Sequence, residues 1–175
     1  MYKTVIGIDN GVTGSIGVVQ RMEDGSRDTD FILTPVKEQQ NYIRSRSLIH
    51  RIDTTSLRAY LEGVLSHNAS RPSDCLITLE RPMVDPSRFK ATVSAIRALE
   101  ATLCVIEDMK IPYQYIDSRE WQRKLLPTGT SGPALKTSSR DVGIRLFPQH
   151  RDLIEKHKDA DGLLICEYSD RVFNK

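Results

Sequence analysis

Apolar and polar positions along the chain switch repeatedly between two periods. Thr4-Val5-Ile6-Gly7-Ile8 is a nearly unbroken apolar run that predicts a short buried strand, ending at Asp9-Asn10-Gly11. Ser15 to Met22 is a second β-rich run. Glu23-Asp24-Gly25-Ser26 is a turn, and Phe31 to Val36 is a third strand, so the N-terminal part reads as an antiparallel meander. Residues 37–52 are polar and basic and predict a surface excursion. Asp53-Thr54 can cap a helix in which Leu57, Tyr60, Leu61, Val64 and Leu65 follow the i, i+3, i+4, i+7, i+8 pattern. Cys75 to Leu79 is a fourth strand, ending in Glu80-Arg81-Pro82.

Asp85, with Pro86 after it, opens a helix over 86–107. Its predicted apolar stripe is Phe89, Val93, Ile96, Leu99, Leu103 and Ile106, while Ala91, Ala95, Ala98 and Thr102 would let another surface approach closely. Tyr113 to Ile116 is a fifth strand. A short helix over 119–125, a Gly/Pro/Ser/Thr loop over 127–133, a helix over 135–147 stopped by Pro148, and a final helix over 159–173 complete the chain. The order β-β-β-α-β-α-β-α-α-α predicts an α/β domain, a mixed sheet of five strands with helices on both faces.

The 175 residues, of which 39% are hydrophobic and 27% charged, suit one soluble globular domain spanning 1–175. No apolar run approaches the roughly 18 residues of a membrane span, and the first strand begins too early for a leader to precede it, so a cytoplasmic protein with no membrane contact is expected. Cys75, Cys104 and Cys166 are odd in number and set in apolar stretches, which reads as reduced core thiols. The formal net charge of +2 names no partner, so local clustering has to decide.

Three carboxylates occupy unusual places. Asp9 and Glu80 each directly follow an apolar strand, where side chains of an open α/β sheet converge on the ligand crevice. Asp161 shares a helical face with Ile165, Tyr168 and Val172, and an acid turned toward a sheet needs a partner or a metal. Together they suggest a cage for hard divalent cations such as Mg²⁺, two of which can drive phosphodiester hydrolysis. The residues leave a fourth ligand open. His157, four positions before Asp161, has the better helical geometry and is favoured. Asp159 has the better chemistry. Lys136, after the Gly/Pro/Ser/Thr loop, can place a cation near a phosphate. Arg119, Arg123, Lys124, Lys136 and Arg140 form one basic cluster, and Arg81, Arg88, Lys90 and Arg97 another. Basic groups on both sides of an acidic pocket suit a polyanion.

Ile6-Gly7-Ile8-Asp9 with Gly11 and Gly14, Leu79-Glu80, and Ala160-Asp161-Gly162-Leu163-Leu164 resemble RuvC-type Holliday-junction resolvases of the RNase H-like superfamily. The phage and organellar branch is the nearer likeness. Ile111-Pro112-Tyr113, the Trp121 segment 117–126, and Lys136 through Leu146-Phe147-Pro148 also fit it. The resemblance covers most of the chain in order. It implies an RNase H-like five-stranded sheet, a homodimer, two Mg²⁺ or Mn²⁺ ions per active site, no nucleotide cofactor, and paired symmetric nicks in four-way DNA junctions. It matches Asp9, Glu80 and Asp161 to the acidic metal ligands, with His157 at the further ligand position, and Lys136 to the catalytic lysine. The chain departs from the family where His157 stands in place of the usual acid. It departs again where alanines replace glycines along the long helix. Arg81, Arg88, Lys90, Arg123, Lys124 and Arg140, together with Lys136, are the expected DNA contacts. Other readings are an inactive junction-binding module and an RNase H-like nuclease on RNA–DNA hybrids. Gly7 to Gly14 also resembles the first phosphate loop of actin-like and sugar-kinase-like ATPases, but the second glycine-rich loop those folds need is missing.

Overall fold

A computed structural model describes every residue except 43, 45 and 175. The main sheet comprises β1 (Thr4–Ile8), β2 (Ser15–Arg21), β3 (Arg27–Leu33), β6 (Cys75–Glu80) and β7 (Tyr113–Ile116) in the order β3-β2-β1-β6-β7. Between β3 and β6 in sequence lie a separate two-stranded hairpin, β4 (Val36–Gln40) with β5 (Leu48–Ile52), and helix α1 (Thr54–His67). β1 pairs antiparallel with β2 and parallel with β6, and β6 pairs parallel with β7. The sheet is therefore mixed, and its central strands β1 and β6 are the unbroken apolar runs expected of strands covered on both faces.

The remaining helices are α2 (Phe89–Asp108), α3 (Ser118–Leu125), α4 (Ala134–Leu146), α5 (Arg151–His157) and α6 (Asp161–Phe173). Strand side chains alternate between the two faces. Ile6, Ile8, Ile16, Val18, Ile77 and Leu79 pack with α1 and α2 on one face. Val5, Val19, Phe31 and Ile116 pack with α3 to α6 on the other. α6 sits directly on β1 and β2. A Cβ at Gly7 would lie 2.3 Å from the backbone nitrogen of Cys166, and one at Gly17 would lie 2.5 Å from Cα of Leu163. Gly7 and Gly17 are register partners, so two missing side chains form the groove that α6 fills.

Several expectations are corrected. Residues 37–52 are not an unstructured excursion: β4 and β5 pair there from Val36↔Ile52 to Gln40↔Leu48, with positions 43 and 45 outside the described residues. Every residue of β4 is exposed, so no apolar alternation marks it. The predicted third strand ends early, at Leu33, and Val36 opens the hairpin. Cys75 and Cys166 are buried free thiols, but Cys104 is exposed. In α2 the small residues Ala98 and Thr102, with Val105 and Ile106, face the core, whereas Phe89 and Ile96 of the predicted stripe are exposed. The unpredicted α5 ends at His157, and Lys158 follows in the left-handed region at φ 82°. His157 and Asp161 are therefore not on one helix. No helix among the described residues is long and apolar enough to cross a membrane.

Candidate metal centre

The parallel register Ile8↔Leu79 sets the next residues, Asp9 and Glu80, side by side at the strand ends. Because Ile8 and Leu79 point toward α1 and α2, alternation turns Asp9 and Glu80 to the opposite face, where α6 begins. Their carboxyls lie close enough to act on each other's proton affinity, and the Trp121 indole N–H of α3 donates to Glu80 Oε1 at 3.4 Å. At the start of α6, Gly162 N donates to Ser15 Oγ at 3.1 Å, fixing that helix end to β2. The Ser139 hydroxyl of α4 donates to Asp161 and accepts from Ala160 N. Carboxylate oxygens of Asp9, Asp159 and Asp161 all lie within 4.8 Å of one another.

The site is acidic, and burial magnifies its charge. Burial, and then the charges of Glu80 and Asp159, push the Asp9 carboxyl well above the carboxylate range. Burial and the Asp161 charge raise Glu80. Burial and the charges of Asp159 and Asp9 lift Asp161 to about 7. Burial alone would raise Asp159 too, but contact with His157 and the charges of His157 and Lys136 outweigh it and hold Asp159 low. His157 Nε2 lies 3.2 Å from Asp159 Oδ1 as an ion pair, off the line of a regular hydrogen bond. Asp159 holds the imidazole protonated above its usual range. Lys136 Nζ reaches Asp159 Oδ2 at 3.5 Å while its side chain stays 75% exposed.

The four acids Asp9, Glu80, Asp159 and Asp161 thus meet with two cationic partners, His157 and Lys136. Asp159 stands in the oxygen cluster, and His157 faces it from beside Phe31, at 6.2 Å between ring centroids. Such a donor set fits a hard divalent cation: the ligands are all oxygens, close together, and unable to stay ionised cheaply without added positive charge. Ser139, Ser15 and Trp121 orient the acids without carrying a recognisable motif. Only the spacing of Ser139 from Lys136, nearly one turn of α4, hints at its role.

The expected DNA contacts are spread over several elements. Asn10 Nδ2 donates to Ala95 O at 3.2 Å, which ties the residue after Asp9 to α2. Lys90 and Arg97 of α2 border a cleft with Tyr42, and Arg97 lies over the Tyr42 ring. Arg88 is exposed at the start of α2. Arg81 lies over Tyr115 and pairs with Asp117 at 3.1 Å. Arg123 and Lys124 are in the last turn of α3, and Arg140 of α4 pairs with its neighbour Asp141.

No protein-family model and no curated protein matches the chain. Solved structures do. T. thermophilus RuvC in complex with Holliday junction substrate matches with TM-score 0.57 and 16% identity, over 99% of this chain and 95% of that one. A second Thermus thermophilus RuvC structure matches with TM-score 0.52 and 16% identity, over 97% and 96%. The chain has the RNase H-like fold of these structures.

Proposed function

We propose that this protein is a metal-dependent, structure-selective DNA endonuclease that resolves four-way junctions as a homodimer, its whole length acting as one RNase H-like unit in the cytoplasm. The observation that carries this reading is the meeting of Asp9, Glu80, Asp159 and Asp161 in one half-buried acidic pocket, beside the exposed amine of Lys136. A similar fold in a RuvC structure with a bound Holliday junction supports the choice of substrate.

Asp9, Glu80, Asp159 and Asp161 would hold two Mg²⁺ or Mn²⁺ ions. When bound, such ions supply an activated water and stabilise the leaving oxygen of a phosphodiester. Asp9, within reach of both Asp159 and Asp161, would serve as a shared ligand. His157 keeps Asp159 ionised and oriented, or itself takes a ligand position. Lys136 Nζ provides positive charge at the rim, where the scissile phosphate would lie. Recognition follows junction shape and backbone charge, since no element of the sequence matches a base-reading motif.

The test is incubation with a labelled mobile four-way junction, with Mg²⁺ and with chelator. Paired nicks that need Mg²⁺ are expected. Asp9→Asn should abolish cutting while retaining junction binding. Binding without cleavage by the native protein would make it an inactive junction-binding module. Preference for RNA–DNA hybrids would make it an RNase H-like enzyme.

A further inference from the structure

A second cleft lies beside the carboxylate site, between α3, the loop after it and the first turn of α4. Its volume is about 950 Å³, and no acidic side chain lines it. Arg119 and Arg123, one helical turn apart on α3, form one wall, and Thr128 and Ser131 belong to the opposite loop. Other arginines of the protein are mostly satisfied: Arg21 and Arg27 pair with Asp170, Arg58 with Asp108 and Arg81 with Asp117. The guanidinium groups of Arg119 and Arg123 have no ion pair or hydrogen bond among the described residues. The acids nearest in sequence are committed elsewhere. Glu120 Oε1 accepts from Asp117 N at 3.1 Å, and Asp117 takes Arg81. Two unneutralised guanidinium groups facing one acid-free cleft make a site for an anion with several oxygen acceptors.

The position of the cleft says which anion. On α3, the buried Trp121 touches Glu80 from the opposite face of the helix to the two arginines. On α4, Leu135 lines the cleft and its neighbour Lys136 reaches Asp159. The α4 wall therefore continues to the carboxylate cluster, and a strand presented to that cluster beside Lys136 could reach the cleft. Leu126 and Leu135 add apolar surface suited to a sugar face. The loop holds its shape through its own bonds, Thr130 N to Pro127 O at 3.2 Å and Leu135 N to Gly132 O at 3.1 Å. Gly129 at φ 84° and Gly132 at φ 55° adopt a left-handed backbone that suits glycine.

We infer that this cleft is a phosphate clamp, in which Arg119 and Arg123 grip a backbone phosphate of the DNA strand next to the one presented to the carboxylates. The inference rests on the endonuclease reading and adds to it how the strand is set in register. Clamping a neighbouring phosphate fixes the phosphodiester that faces Asp9.

The experiment uses junctions that each carry one neutral methylphosphonate, stepped along the cleaved strand. Binding is measured in chelator for the native protein and for Arg119→Ala/Arg123→Ala, with a lysine double variant as a second probe. The native protein should lose affinity at one or two adjacent substituted positions. The alanine variant should bind unmodified junction roughly tenfold more weakly, with a salt dependence shallower by about 2 in log–log slope. It should also be indifferent to those same substitutions, with an unchanged melting curve. The lysine variant should recover the salt slope but not the full affinity. If the native protein binds junctions but both proteins respond alike at every position, the clamp is wrong. If the native protein binds no junction at all, the endonuclease reading itself fails.

Discussion

Single side chains set the cost of this site. Asp9, Glu80 and Asp161 have ordinary values of 3.8, 4.5 and 3.8, and all are raised in the fold, Asp161 to about 7. A raised carboxyl binds its proton more tightly when folded, so its contribution to stability is present below the ordinary value and lost as pH rises through the folded one. Asp159 runs the other way. Held low by His157 and Lys136, it adds stability above its ordinary value and loses it in acid. Three raised groups outweigh one lowered group. In chelator, the melting temperature should fall between about pH 5 and about pH 8. Mg²⁺ should restore it, and more at the alkaline end, because a cation replaces the protons that the acids have given up. Asp9→Asn should flatten both trends. Calorimetry at several pH values decides this, and a flat melting temperature in chelator would remove the argument. Lys136 makes a different kind of contribution. Exposed and touching only Asp159, it costs little to remove. Lys136→Ala should slow single-turnover cleavage by about 10²-fold or more at saturating junction and leave affinity nearly unchanged. A loss of affinity alone would make it a simple backbone contact. The sequence brought Asp9, Glu80, Asp161 and Lys136 into view through strand ends, one helix face and one loop. It favoured His157 over Asp159 as the fourth ligand on the assumption of one continuous helix, and the left-handed Lys158 that breaks α5 from α6 has no sequence marker as clear as glycine.

At the scale of elements, α6 is aimed by what β1 and β2 lack. Gly7 and Gly17 admit the helix backbone, and Asp161 at its first turn reaches Asp9, two residues beyond Gly7. A methyl at Gly7 would press on the backbone at Cys166 and Gly162, so Gly7→Ala should destabilise the fold by about 1–3 kcal/mol and weaken Mg²⁺ binding with it. Gly63 is the control. It lies within α1 with nothing near its missing Cβ, and Gly63→Ala should stabilise by about 0.5–1 kcal/mol. Urea unfolding measures both, and equal signs would sink the packing account. The same contrast explains what could be read beforehand. β1, β2, β6 and α1 were legible because they are unbroken apolar runs or keep one helical period. The β4–β5 hairpin was not, since all five residues of β4 are exposed and no apolar period marks it. In α2 the period was legible but the face was not. The large residues Phe89 and Ile96 stay outside while Ala98 and Thr102 fit the narrow space against the sheet. Residue size fitted the gap there, which a count of apolar positions does not weigh.

At the scale of the whole molecule, the described residues leave an apolar stripe on α2 uncovered. Phe89 is 72% exposed and Ile96 40%, with Val93 between them at helical spacing, and Met83 and Val84 lie just upstream at 72% and 62%. Scattered surface apolar groups need no explanation, but a run along one helix marks a contact surface. The same end of α2 is tied by Asn10 to the strand end that bears Asp9, so whatever covers the stripe sits beside the acidic pocket. A second copy meeting it across a two-fold axis would bury the stripe and hold two pockets in fixed relation. That is the arrangement that nicking a symmetric four-way junction at paired positions demands. The native protein should therefore sediment as a dimer at micromolar concentration. Phe89→Glu with Ile96→Glu should yield a monomer whose melting curve is nearly that of the native chain, since neither side chain is in the core. The monomer should still cut, because Asp9, Glu80, Asp159 and Asp161 all come from one chain. Its nicks, however, should appear one strand at a time, with a long-lived singly nicked junction where the native protein leaves almost none. A native protein that sediments as a monomer, or a double variant that still makes simultaneous nicks, would show that the stripe faces the junction and not a second subunit.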